Sequence, residues 1–190
     1  KDRMSPTYGC FHYQYWRDKT SEFADARFQE AAATALLLAN CREELSDCQY
    51  FPEDKQLREV FASGLNYLEK IQYEDGSFDE WYKGERGIAA TEFTTIAFGL
   101  AYFLDAKGIA AGSKSKLFAI IQKSSNWLID KVDGAKSNHQ AAIAAALAIA
   151  HKLLGDDRYL DAAERAFSEV LSRQTDDGWF PEIGGLDLGY

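Results

Sequence analysis

Gln72-Tyr73-Glu74-Asp75-Gly76-Ser77-Phe78 returns 102 residues later as Gln174-Thr175-Asp176-Asp177-Gly178-Trp179-Phe180. An amphipathic stripe precedes each copy: Leu57, Phe61, Leu65, Leu68 and Ile71 before the first, Leu160, Ala163, Phe167 and Leu171 before the second. A phrase repeated after matching helices predicts stacked helix pairs, each needing its neighbour to cover its apolar face. Asp-Gly in both copies supplies a tight turn in which glycine takes positive φ without steric cost, and the aromatic residue that follows can tuck beneath it.

Outward from these phrases, four more stripes have helical period. They are Phe28, Ala32, Ala35, Leu36 and Ala39; Phe93, Ile96, Leu100 and Phe103, closed by Gly108; Leu117, Ile121, Trp127 and Leu128; and the alanine-rich run from Ser137 to Leu154, stopped by Gly155. Pro52 suits the first turn of the helix that carries Leu57. Ser137 and Gln140 have the spacing of a capping box. No alternating strand pattern competes, so the chain reads as all-α, three antiparallel hairpins. The helices with Phe28, Phe93 and His139 near their starts are alanine-rich and sparsely charged, whereas the other three carry many charges. A helix apolar around most of its circumference is buried, which predicts an inner and an outer ring, the layout of an (α/α) toroid. Closed toroids use more pairs than three. The expectation is therefore one α/α-toroid domain over 1–190, with 1–22 an aromatic-rich extension, as the N-terminal part of a longer chain.

Composition narrows the partners. A net charge of -9 disfavours nucleic acid and anionic membranes. No apolar run approaches the roughly 20 residues that span a bilayer, so no membrane insertion is expected. Cys10, Cys41 and Cys48 lack C-x-x-C spacing, which argues against a zinc site and against a disulfide framework. No metal and no cofactor are expected.

The Gln-x-x-Asp-Gly-x-Phe phrase resembles the repeat of triterpene cyclases and protein prenyltransferases. It also resembles the toroid domains of heparinase-like and alginate lyase-like polysaccharide lyases. The cyclases' Asp-x-Asp-Asp motif is missing, and Cys41 and Cys48 give no convincing prenyltransferase zinc set. The lyase resemblance has further support: Asn138-His139 opens an inner helix, and Tyr190 follows one hairpin later, as an Asn-His pair and a Tyr do around the scissile uronate in those enzymes. The stretch from Ser5 to Trp16, dense in aromatics, looks like the strand leading into the barrel of an uncharacterised bacterial heparinase-like group. These resemblances imply an acidic polysaccharide or oligosaccharide partner; the compartment stays open, with the bacterial periplasm or exterior favoured over the cytoplasm.

Elimination from a uronate needs a group that neutralises the carboxylate, a base, and an acid for the leaving oxygen. By resemblance Asn138 binds the carboxylate, His139 is the base or assists it, and Tyr190 is base or acid. A histidine at a helix N-terminus feels the positive end of the dipole, which favours neutral imidazole. The bland alternative is that Asn138 and His139 merely fill the first turn of a capped helix. Trp16, Trp81, Arg86 and Trp179 are candidate substrate-binding residues, set against the alternative that the repeated loops are structural clasps. Lys83, Arg17 and Lys19 are further cations for an anionic substrate. Two other functions stay open: hydrolysis by paired carboxylates drawn from Asp75, Asp79, Glu80, Glu92, Asp177 and Glu182, and glycan binding without chemistry. The open toroid ends predict self-association.

Overall fold

The computed structural model describes residues 2–41, 52–183 and 185. Their regular structure is a π-helical turn Gln14–Asp18, a 3-10 turn Ala26–Gln29, and six α-helices: α1 (Glu30–Asn40), α2 (Asp54–Ile71), α3 (Ile88–Asp105), α4 (Ala111–Leu128), α5 (Ser137–Leu154) and α6 (Asp157–Ser172). Extended pairing among the described residues is confined to isolated bridges, as between Phe78 and Gly87. The chain is all-α, as its periodicity predicts.

Helix α1 packs on α3 and α3 on α5, while α2 lies on α1, α4 on α3 and α5, and α6 on α5. Small residues allow this close approach. A Cβ on Gly64 of α2 would stand 2.3 Å from that of Ala32 on α1, and one on Gly99 of α3 would stand 2.3 Å from Ile149 Cγ2 on α5. Leu36, Phe61, Leu65, Phe98, Leu117 and Leu147 belong to a contiguous buried cluster that draws on all six helices. Gly155 ends α5 in the left-handed conformation at φ 71°, as expected of a glycine C-cap.

Local expectations are corrected in five places. Pro52 stands two residues ahead of α2, whose N-cap is Glu53. Helix α5 has Lys136 as N-cap without a side-chain bond, because the Ser137 hydroxyl donates to the Pro181 carbonyl at 2.6 Å and Gln140 reaches back to accept from Asp133 N–H at 2.9 Å. The capping box is thus replaced by longer-range ties. The segment ending at Trp16 forms a π-helical turn, not a strand. In α6 the buried face is Tyr159, Ala162, Ala163, Ala166 and Val170, which leaves Phe167 and Leu171 exposed. The alanine face lets α6 lie close to α5 and turns the larger side chains outward. Nor are the alanine-rich helices covered all round: Leu37 of α1 with Leu100 and Leu104 of α3 line a groove of about 250 Å³.

The N-terminal extension covers the α1–α2 edge. Buried Gln29 accepts from Phe11 N–H at 2.7 Å and donates to the carbonyls of Gly9 (3.0 Å) and Gly64 (3.1 Å). Gly9, at φ 89°, lies so close over Ser63 that a Cβ would be 2.0 Å from its carbonyl oxygen. The 3-10 turn that follows the extension is tied to the residue just after the first repeated loop by Ala26 N–H donating to the Asp79 carbonyl at 2.9 Å.

Candidate functional site

The two repeated loops make one turn twice. The side-chain amide of Gln72 donates to the Gly76 carbonyl and that of Gln174 to the Gly178 carbonyl, each at 3.1 Å. The N–H of Tyr73 donates to the Ser77 carbonyl at 3.0 Å, and that of Thr175 to the Trp179 carbonyl at 2.8 Å. Two residues beyond the terminal phenylalanine, each loop delivers a glutamate to the ends where α3 and α5 begin: Glu80 and, 102 positions later, Glu182. One oxygen of each is engaged. Glu80 Oε1 lies 3.6 Å from Arg27 Nη1, and Glu182 Oε1 accepts from Asn138 N–H at 2.8 Å, taking up a donor of the first turn of α5. In both, Oε2 is buried without a hydrogen-bond partner among the described residues.

Glu92 of α3 and His139 of α5 meet at the same rim. Glu92 Oε1 lies 2.8 Å from His139 Nδ1, with the two side chains 0% and 11% exposed. The approach lacks the alignment of a hydrogen bond, and both Glu92 oxygens and Nδ1 are otherwise unsatisfied among the described residues. Burial, helped by the charge of Asp133, pushes the Glu92 carboxyl up to about 9. Burial and then the Lys136 charge hold His139 below the usual histidine value. A neutral carboxylic acid therefore faces a neutral imidazole near pH 7, the forms that a dry site favours for both groups.

Aromatic and charged neighbours complete the rim. Phe93 meets the His139 ring edge-on at 5.8 Å, and the Arg27 guanidinium covers Phe93 at 4.2 Å. Arg27 also holds Glu30 at 2.5 Å, so its charge is shared between Glu30 and Glu80. Burial raises Asp25 to about 6 and raises Glu30 and Glu80 above the usual carboxylate range. His12 stacks on Phe28 at 4.4 Å and accepts from Asp25 N–H at 3.0 Å.

Of the sequence-derived candidates, His139, Glu80, Glu92 and Glu182 reach this rim. Asn138 is exposed, and its Oδ1 accepts from His139 N–H at 2.7 Å, a contact within the helix start. Tyr190 lies outside the described residues, as does Cys48. Trp16 packs on Cys10, Ala24 and Tyr67, away from the dyad. Trp81 and Trp179 are 75% and 55% exposed on their loops. Arg86 pairs with Asp75 at 2.6 Å and covers Tyr73; Arg17 covers Tyr13. The cations beside the dyad are Arg27 and Lys136, and the sequence reading singled out neither. The signal for Arg27 was Asp25-Ala26-Arg27-Phe28, a charged and aromatic step directly ahead of an alanine-rich helix. Glu92 stood out as the one charge of α3 ahead of its last residue, Asp105.

Compared with known protein families, curated proteins and solved structures, the chain matches none. No helix among the described residues is long and apolar enough to cross a membrane.

Proposed function

We propose that the two-layered row of hairpins is a segment of an α/α toroid from a carbohydrate-active protein, with its site where Glu80 and Glu182 flank the Glu92–His139 dyad. The observation that carries this reading is the repeat-related pair Glu80 and Glu182, each presenting a buried carboxylate oxygen without a partner among the described residues, Glu80 beside Glu92 and Glu182 beside His139. A buried acceptor without a partner is costly and is relieved by a ligand that brings donors. Sugar hydroxyls are such donors, and exposed Trp81 offers an apolar face for the ring.

Two reactions fit, and the two repeat-related glutamates support hydrolysis first. Glycoside hydrolysis needs a carboxylic acid of raised pKa near a second carboxylate. Glu80, raised by burial, fits the acid, and Glu182 the base or nucleophile. Glu92, wholly buried, acts through His139 as a positioning residue. β-Elimination from an acidic polysaccharide is the second reading, supported by the neutral imidazole of His139 acting as base. It must place a uronate against Lys136 or against Arg27, which Glu30 and Glu80 already share.

The test incubates the protein with neutral β-glucan, xylan, alginate, hyaluronan and pectate, following reducing ends and the ultraviolet absorbance of unsaturated uronate together. New reducing ends without absorbance, abolished by Glu80→Gln and by Glu182→Gln, are expected. Absorbance abolished by His139→Ala would replace hydrolysis with elimination. Neither signal from a folded protein would sink both, and saturable glycan binding would then leave a binding module.

A further inference from the structure

We infer that the edge formed by α6 and the second repeated loop is a docking site for a basic amphipathic α-helix of the kind that α4 presents to the first loop. This inference is independent of any chemistry at the rim.

The first copy shows what the turn is built to hold. Besides closing its own loop, Gln72 donates to the Ile120 carbonyl at 3.1 Å and to Ser124 Oγ at 3.0 Å, and Ser124 Oγ donates to the Gly76 carbonyl at 3.1 Å. The backbone of α4 runs so close that a Cβ on Gly76 would lie 2.1 Å from the Lys123 carbonyl oxygen. Gly76 is thus where a helix is admitted to backbone contact, and Gln72 is the arm that holds it.

The second copy has the same arm and the same opening without the helix. Among the described residues, a Cβ on Gly178 would meet nothing within 4 Å except the Gln174 amide at 3.9 Å. Leu65, fully buried on α2, corresponds to Phe167 of α6, which is 53% exposed. Phe167, Leu171 and Trp179 together leave an apolar strip beside an unused clasp. Solvent-facing acids flank it: Asp161, Glu164, Asp176 and Asp177, with Arg165 as the cation among them and Arg173 paired to Glu169 at 3.2 Å.

The occupant follows from these features. It is a helix with a small or hydroxylic residue over Gly178, a main-chain carbonyl four residues before it for Gln174, an apolar face for Phe167, and lysines for the acidic flank. Helix α4 meets that description, with Lys114, Lys116 and Lys123 and no acidic residue. Charge then steers the partner, while hydrogen bonds and apolar contact hold it.

A fluorescent peptide of the α4 sequence, locked as a helix by a lactam between exposed positions 115 and 119, is titrated into the intact chain and followed by anisotropy. Saturable binding is expected, weakened about tenfold by Gln174→Ala through the loss of its hydrogen bonds. Phe167→Asp on the chain and Ser124→Val on the peptide should each weaken it further. Absence of binding up to about 1 mM peptide, a level below any specific affinity, would overturn the inference. So would binding that all three changes leave untouched. A chain that already dimerises in sedimentation, and is rendered monomeric by Phe167→Asp, would assign the edge to a second copy instead.

Discussion

Gly76 and Gly178 sit at the same point of the same turn, with φ of 98° and 87°, but their surroundings differ. The first is pressed against the backbone of α4 and the second opens to solvent. Phe78 at the end of the first loop is fully buried, its N–H donating to Thr91 Oγ1 at 3.1 Å, whereas Phe180 is half-buried. The shape of this loop is therefore local, written by Gln-x-x-Asp-Gly, and it forms with or without a neighbour. Its contribution to stability comes from what packs behind it. The middle hairpin shows the same rule met by another residue: its Asp133-Gly134 turn lacks the glutamine arm, and Gln140 of α5 instead reaches the outer helix α6 through the Ala166 carbonyl at 3.5 Å.

The hardest test of that contrast is a branched side chain in both glycines. Gly76→Val must adopt a left-handed φ and also drive a Cβ into the α4 backbone, with an expected cost of about 4 kcal/mol. A loss of roughly 10 °C in Tm follows for a chain of this size. Gly178→Val keeps only the φ strain, about 1–2 kcal/mol. Equal losses in thermal melts would show that docking on α4 adds nothing to the first turn.

The glutamine arms separate the copies more gently. Gln72→Ala removes donors to Gly76, Ile120 and Ser124 in a partly buried setting, with an expected cost of about 2 kcal/mol. Gln174→Ala removes one solvent-facing bond and should stay within about 0.5 kcal/mol. Urea unfolding of the pair measures the difference directly, and a Gln174→Ala cost that matches Gln72→Ala would mean that the second loop is already covered.

How far the sequence reveals this molecule follows the same local-versus-distant division. Helix periodicity, Gly155 and the Gln-x-x-Asp-Gly turns depend on neighbours within a few positions, and each was legible. The face of α6 was not, because which stripe is buried depends on α5, and Phe167 looks as apolar as Leu65 until the helix beyond it is considered. The capping box failed because Pro181, 44 residues away, took the Ser137 hydroxyl and Asp133 took the Gln140 carbonyl oxygen. His139 was legible through its helix start. Its partner Glu92 was visible as a charge in an apolar helix, but the pairing required knowing that α3 and α5 lie side by side. Arg27 was missed for the same reason.

Between the two loops lies a pair whose pH response tests whether the rim is as dry as its geometry indicates. Glu92 is protonated in the folded chain up to about 9 and ionised in the unfolded chain above its ordinary value of 4.5. The folded state binds the extra proton across that window, so Glu92 makes stability fall as pH rises through it, by at most about 1.4 kcal/mol per pH unit. His139, lowered in the folded state, has the opposite sign in a different window. The unfolded chain binds its proton first, so its share of stability is lost as pH falls below about 6.5. Between pH 7 and 9 the carboxyl acts alone of the two, so Tm of the native protein should decline there and Glu92→Gln should remove most of the decline. An unchanged slope would mean that water reaches Glu92.

The smallest expected effect separates the two glutamates that the loops deliver. Glu182 Oε1 takes a first-turn donor of α5, so Glu182→Ala should cost about 1 kcal/mol, as the loss of an N-terminal cap does. Glu182→Gln, which keeps an acceptor oxygen, should cost less than half of that. Glu80 has no such duty. Its Oε1 faces Arg27 at 3.6 Å, and Arg27 keeps Glu30 at 2.5 Å when Glu80 is removed. Glu80→Ala should therefore be neutral within about 0.5 kcal/mol, or stabilising, because it removes an unpaired buried oxygen. A neutral Glu80→Ala would free this carboxylate from a folding role and support the one proposed for it above. Chemical denaturation of the three variants decides this, and a Glu80→Ala loss equal to that of Glu182→Ala would return Glu80 to the scaffold.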